Sequence, residues 1–248
     1  MAKRAKKKPA GKKRTTTKRA AKSRLGPLRW LFRWGVRGLA SAGVVLFLAV
    51  VFYAVFDPPT TPYMLSESKR LGGVDQQWVD IDEVAAVMAR SVIAAEDANY
   101  CLHWGFDMAA IRGALEDGAN RGASTISQQV VKNVYLWQGR SWARKALEAV
   151  MTPMVELVWS KRRIIEVYLN VAEFGEGVFG VEAAARKNFR VGPDGLQPWQ
   201  AARLAAVLPN PKKRSASNAS AFVKKRSRAV ADGAATILAD GRADCLGG

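Results

Sequence analysis

Two acidic residues, Glu96 and Asp97, stand together where a helical pattern ends and a turn-like stretch begins. Carboxylates in such a place can take up or give up protons. Further along, after Gly122, a stripe of Thr125, Gln128, Gln129 and Lys132 recurs at helical spacing. A helix that starts there offers free N–H groups to an anion. Polar stripes are more often solvated faces, but this one holds two adjacent glutamines and a lysine instead of mixed acids and bases. Arg144 and Glu148 are four residues apart and can pair on a helix surface. The single histidine, His103, argues against a Ser-His-Asp hydrolase. With only Cys101 and Cys245 beside it, a structural zinc site is also excluded. Cys245 lies in a Gly-rich end, so two free thiols are expected.

These side chains need elements to hold them. Asp80 with Glu83 reads as a capping box. Ile81, Val84, Ala85, Met88, Val92 and Ala95 then recur at helical intervals up to Glu96. Thr125 with Gln128 is a second capping pair, with Ile126, Val130, Val134 and Trp137 on the face opposite the stripe. A third helical region opens near Ser141. Pro153 cannot donate to residue 149 and crowds its carbonyl, so a kink or break is expected there. Short helices fit 180–188 and 198–207, and an amphipathic helix fits 220–239. LPNP at 208–211 punctuates the compact part. Few stretches alternate like strands. The expected architecture is a mainly α domain over 58–211, followed by a basic, Ala-rich and partly helical segment over 212–248.

The charge is uneven. Residues 1–37 hold fifteen of the 39 Lys and Arg and none of the 21 Asp and Glu, so the net +18 is +15 there and +3 elsewhere. Residues 1–34 read as a disordered basic tail. It lacks the interleaved aromatics of a base-stacking surface, and no nucleic-acid partner is expected. Gly38 to Phe56 carries no charge; at about 1.5 Å per residue it reaches roughly 28 Å, close to a bilayer core. Residues 35–57 therefore read as a transmembrane helix, with Trp30, Phe32, Trp34, Tyr53 and Phe56 as its aromatic belts. Positive charge stays in the cytoplasm, so the remainder is expected on the outer, periplasmic face of the inner membrane. Membrane lipids are then partners.

Five segments, in order, resemble one family. They are EDANYCLHWGFD (96–107), RGASTISQQVVKN (121–133), GRSWARKALE (139–148), WSKRRIIEVYLNVAEFGEGVFGVEAAA (159–185) and AAVLPNP (205–211). They resemble the glycosyltransferase domain of class A penicillin-binding proteins and, more closely, the monofunctional peptidoglycan transglycosylases of glycosyltransferase family 51. The resemblance implies a lysozyme-like, largely helical fold with a mobile jaw around 106–122. It implies polymerisation of lipid II into β-1,4-linked glycan strands with inversion, releasing polyprenyl diphosphate. Lipid II and the growing glycan are the implied partners, with other cell wall or division proteins beside them.

Residue by residue, Glu96 matches the family's base, which takes the proton of the attacking sugar hydroxyl. The neighbouring Ala94 and Ala95 suggest an apolar setting that raises its pKa. Lys132 and Arg140 match the pyrophosphate contacts, with Arg144 beside them. Glu148 matches the second important glutamate; it orients the basic residues, holds a divalent ion such as Mg²⁺, or assists departure. No cofactor is obligatory. Ser124, Thr125, Gln128 and Gln129 match cleft positions, while Asp97 and His103 are expected to hold the catalytic loop. Two rivals stay open: a lytic enzyme of lysozyme type, and a catalytically silent scaffold for cell wall assembly.

Overall fold

The apolar run forms a long helix, α1, Gly26–Tyr53. The computed structural model describes residues 11, 26–118, 122, 124–139 and 141–247. The tail expected to be disordered therefore lies outside the described residues up to residue 25, except for Gly11. Residues 26–34, expected in that tail, are helical instead. The Trp30 and Trp34 rings meet at 6.1 Å and the Arg37 guanidinium lies 5.5 Å from the Trp34 ring. Contacts three and four residues apart stabilise helix, and these extend it back into the basic stretch.

The chain divides into two compact units, with the boundary after Val45. In the first, Trp30, Phe32, Leu39 and Val44 all face outward. The span Arg29–Tyr53 is long and apolar enough to cross a membrane. In the second, Val50 is buried and its carbonyl accepts from Trp159 Nε1 at 2.7 Å. Arg163 donates to the carbonyls of Tyr53 and Phe56 at 3.2 and 2.9 Å and pairs with Asp57 at 2.8 Å. The last carbonyls of a helix have no partner within it. One arginine satisfies two in this region, and α1 stops at Tyr53 instead of reaching 57.

The rest of the second unit is built around two helical groups. In one, α3 (Ala86–Glu96) packs against α9 (Pro198–Val207) and α10 (Ala221–Ala239). Met88, Val92 and Ile93 of α3 meet an alanine-rich face of α9 that includes Ala201, Ala202 and Ala205, all fully buried. Small residues allow close approach. A Cβ at Gly233 of α10 would stand 3.2 Å from Ala94 Cβ, so glycine brings α10 tight against α3. In the other group, α5 (Ile126–Tyr135) packs on α6 (Trp142–Val158) and α7 (Lys161–Val171). Ile126, Val130, Ile164, Ile165 and Leu169 are fully buried. Each such side chain contributes about 1.5–3 kcal/mol by leaving water. The helix α2 (Pro62–Leu71) lies on α5, while α4 (Met108–Glu116) and α8 (Val181–Phe189) complete the set.

A small sheet closes one edge. Its strands are β1 (Asp75–Gln76), β2 (Glu173–Gly175) and β3 (Val178–Phe179), in the order β1-β3-β2. β1 runs parallel to β3, and β2 runs antiparallel to it. Asn170 holds the chain beyond β1: its Oδ1 accepts from Val79 N at 2.9 Å, and its Nδ2 donates to Val79 O at 2.8 Å. The architecture is mainly α.

Four local expectations are corrected. Asp80 makes no capping bond; Ile81–Glu83 is a single 3-10 turn, and α3 starts at Ala86. The peptide of Ala85 is drawn away to Pro193, whose carbonyl accepts from Ala85 N at 3.0 Å. The second correction concerns Pro153: of the kink or break expected there, the break is absent, and α6 continues past it. An interior proline costs about 3 kcal/mol, but Met151, Thr152 and Val155 are anchored in the core around it. Cys101 and Cys245 are not free thiols; they form a disulfide with Cα atoms 5.7 Å apart. Finally, the compact part does not end at 208–211, because Val223, Val230 and Ile237 of α10 enter the core.

Candidate active site

Glu96 is the last residue of α3, and Asp97 caps its end. There the chain turns under the start of α5. Asp97 Oδ2 accepts from Ile126 N at 3.0 Å and its Oδ1 lies 2.8 Å from His103 Nε2. A carboxylate at a helix N-terminus satisfies an orphan donor and meets the positive end of the dipole. Thr125 completes the junction by donating from Oγ1 to Gly105 O at 2.7 Å. Gly105 has φ +79, and a Cβ there would stand 2.8 Å from Thr152 Cγ2, so only glycine fits between the loop and α6. Asp97 and His103 thus tie the loop that follows Glu96.

The reciprocal cap of α5 is present. Thr125 N donates to Gln128 Oε1 at 3.1 Å, and Gln128 N donates to Thr125 Oγ1 at 3.3 Å. This moves Gln128 away from its expected cleft position: its side chain is used by the cap and is buried. Gln129 and Lys132, one turn apart, line a cleft of about 260 Å³ with Tyr63, Asn133, Tyr168 and Lys212. Glu96 and Asp97 line a second cleft of about 200 Å³ with Asn99, Asp107, Ser124 and Thr125. Gln129 joins the two, donating from Nε2 to Glu96 Oε2 at 3.0 Å while its Oε1 accepts from Tyr168 OH at 3.3 Å.

The other Glu96 oxygen, Oε1, is buried without a hydrogen-bond partner, and Arg226 NH2 stands 3.7 Å from it. Burial pushes the Glu96 carboxyl above its ordinary value. The Gln129 bond and the charges of Arg226 and Lys132 pull down without cancelling that rise, and Asp97 adds to it. Burial depresses the Lys132 ammonium, against the attraction of Glu148 and Glu96; Arg144 and Lys145 add to the depression. Burial thus makes the Glu96 carboxyl harder to ionise and the Lys132 ammonium easier to neutralise.

Glu148 belongs to the same cluster. It lies nearly two turns into α6, whose cap is Ser141. Its carboxylate is 3% exposed and meets Arg144 at 2.6 Å, with Lys145 on its other oxygen. The pair expected on the surface is therefore buried on the acid's side. Lys145 Nζ also reaches Ser124 Oγ at 3.3 Å, and Arg144 Nε donates to Gly139 O at 2.9 Å. Glu148 thus holds both cations, and Lys145 meets Ser124, which lines the second cleft. Among the described residues no three His, Cys, Asp or Glu converge here. Both oxygens of Glu148 already face cations, so this donor set does not suit a resident divalent ion. Arg140 lies outside the described residues.

A family model described as Transglycosylase matches residues 65–235. The chain is 60% identical over 214 residues to the biosynthetic peptidoglycan transglycosylase of Jannaschia sp. (strain CCS1), covering 86% of this chain and 90% of the relative. It is 46% identical over 210 residues to that of Xanthomonas oryzae pv. oryzae, covering 80% and 86%. To that of Caulobacter vibrioides it is 43% identical over 203 residues, covering 80% and 89%. The chain belongs to the transglycosylase family.

Within this transglycosylase, sequence reasoning missed Arg226 and Tyr168 as neighbours of Glu96 and its partner Gln129. Arg226 sits 130 residues from Glu96 in the chain, and α10 was read as lying outside the domain. A signal was present. Arg226 falls among Val223, Ser227, Val230 and Ala234, the buried face of α10, where a charge needs a reason. Tyr168 carries no such signal, because it falls within the buried apolar face of α7.

Proposed function

We propose that this peptidoglycan glycosyltransferase joins lipid II to a growing glycan with Glu96 as the base that deprotonates the acceptor's sugar 4-hydroxyl. The hydroxyl oxygen attacks the donor's anomeric carbon, the bond to the diphosphate breaks, and the configuration inverts. Lys132 and Arg144, with Arg140, meet the charge that builds on the departing polyprenyl diphosphate. Glu148 orients Arg144 and Lys145 for that task. Asp97 and His103 hold the loop that carries Glu96. Ser124, Thr125 and Gln129 contact the sugars, and Gln128 supports them through the cap. No step is routed through a metal ion.

One observation carries this reading: Glu96, largely buried with one oxygen unbonded, is linked through Gln129 to the helix face that bears Lys132. Acceptor hydroxyl and donor diphosphate would then meet on two sides of one hydrogen bond. Exposed Trp104, Met108 and Leu115 offer apolar surface near the Glu96 cleft for the prenyl chains. The anchor is α1, with the N-terminus in the cytoplasm and the catalytic unit on the periplasmic face. The +15 tail supports this orientation, and so does the disulfide, which persists in oxidising compartments. Other proteins of wall synthesis or division are partners on that face.

The experiment supplies the full chain in vesicles with lipid II and, separately, with finished peptidoglycan. Glycan strands should form from the first, and Glu96→Gln should abolish them. Consumption of finished peptidoglycan alone would replace polymerisation with cleavage.

A further inference from the structure

The C-terminal helix does not end the chain's contact with the catalytic loop. After α10, residues 240–247 fold back as a strap with a 3-10 turn at Asp244–Leu246. Arg242 NH1 donates to Ala98 O at 3.4 Å, two residues past Glu96. Cys245 then bonds Cys101, within the 3-10 turn Tyr100–Leu102. The strap is itself held from behind: Arg162 NH1 donates to Leu246 O at 2.8 Å, and the Leu246 side chain is buried. Arg226 reaches Ala95 O at 3.2 Å from the same C-terminal element. The segment bearing Glu96 is therefore supported at 95, 98 and 101 by one stretch of chain. Its other supports come from α5 through Asp97 and from Tyr100 OH, which donates to Lys161 O at 2.8 Å.

We infer that residues 240–247 are a positioning strap for the Glu96 loop, locked by the Cys101–Cys245 disulfide, so that full activity requires that bond. The inference rests on the reading of Glu96 as the base. The physical basis is the small tolerance of proton transfer: a general base must stay within hydrogen-bond reach of its proton. Misplacement by about 1 Å costs up to roughly 100-fold in rate. Without the bond, the strap's own hold on the loop is the long, exposed Arg242 contact. Reduction by a dithiol is balanced: the reagent passes two electrons and two protons to the sulfurs, leaves two thiols, and closes to its own disulfide. The device would keep the enzyme weak in a reducing compartment and engage it once oxidised outside.

The test uses the full chain in vesicles with lipid II. Oxidised protein, protein reduced with dithiothreitol, reduced protein re-oxidised, and Cys245→Ser are compared for kcat, KM and the acid limb of the pH profile. Circular dichroism at the assay temperature measures the folded fraction. The strap predicts that the folded, reduced protein and Cys245→Ser lose about tenfold in kcat at unchanged KM, with recovery on re-oxidation. Equal kcat per folded molecule would overturn it and leave the disulfide a stability device only. If the reduced protein unfolds, Arg242→Gln with the disulfide intact decides: a several-fold fall in kcat supports the strap, and an unchanged kcat sinks it. Oxidised wild type that makes no glycan would instead overturn the underlying reading of the site.

Discussion

Glu96→Gln separates catalysis from stability at a single atom. The amide keeps the shape of the carboxylate and can still face Gln129 and Arg226. It cannot accept the acceptor's proton. Loss of a general base costs about 100- to 10,000-fold, or roughly 3–5.5 kcal/mol of transition-state stabilisation. Stability should move the other way. One Glu96 oxygen is buried without a hydrogen bond, and burial outweighs the favourable charges and raises the pKa. A raised carboxyl pKa means that the folded protein binds that proton more tightly than the unfolded chain. Ionising Glu96 therefore opposes folding, fully above its folded pKa and not at all below the ordinary value of 4.5. At pH 7–8 the variant should melt at the same temperature as wild type or higher, and the gain should vanish toward pH 4. The assays are glycan synthesis from lipid II and thermal unfolding across pH. A variant that melts lower at pH 8 would refute the account of a desolvated, poorly satisfied carboxylate. A variant that keeps wild-type kcat would refute its role as the base.

Glu148→Gln should behave oppositely in stability. Removing a 3% exposed charge leaves Arg144 only partly solvated, and the cost should be about 2–3 kcal/mol by urea unfolding, less than for a fully buried pair because Lys145 is 43% exposed. The pH profile of wild-type kcat should fall on the acid side at a pKa above 4.5, since Glu96 must be ionised. It should fall on the alkaline side below 10.5, as Lys132 loses its charge early. Gly105→Ala should destabilise by about 2–4 kcal/mol, since it combines a left-handed backbone with a Cβ 2.8 Å from Thr152; thermal melts would show it. Reducing the disulfide should lower stability by about 2–5 kcal/mol, given a sequence separation of 144 between its ends, as read from urea midpoints with and without reductant.

Much of this molecule is written locally. The α5 cap needs only Thr125 and Gln128 three residues apart, because capping satisfies donors within one turn. Helix periodicity places α9 and α10 nearly to the residue, and the unbroken apolar run marks α1 at once. The acid at the end of α3 and the Gln129–Lys132 face are equally visible as residue types at helical spacing. Local pattern fails where a distant partner wins. Asp80 and Glu83 have the spacing of a cap, but Pro193 takes the next peptide. Pro153 should kink or break a helix, but α6 runs on past it with buried side chains on both sides.

The sequence by itself determined which side chains could take a proton, which could hold an anion, and which run could cross a membrane, because these follow from residue type and short-range period. Only the tertiary structure decided that Arg226 arrives beside Glu96, that Gln129 joins Glu96 to Tyr168, and that Cys101 finds Cys245. Each of those depends on two stretches far apart in the chain meeting in space. Desolvation, charge and covalent closure act through that meeting, and no local pattern records it.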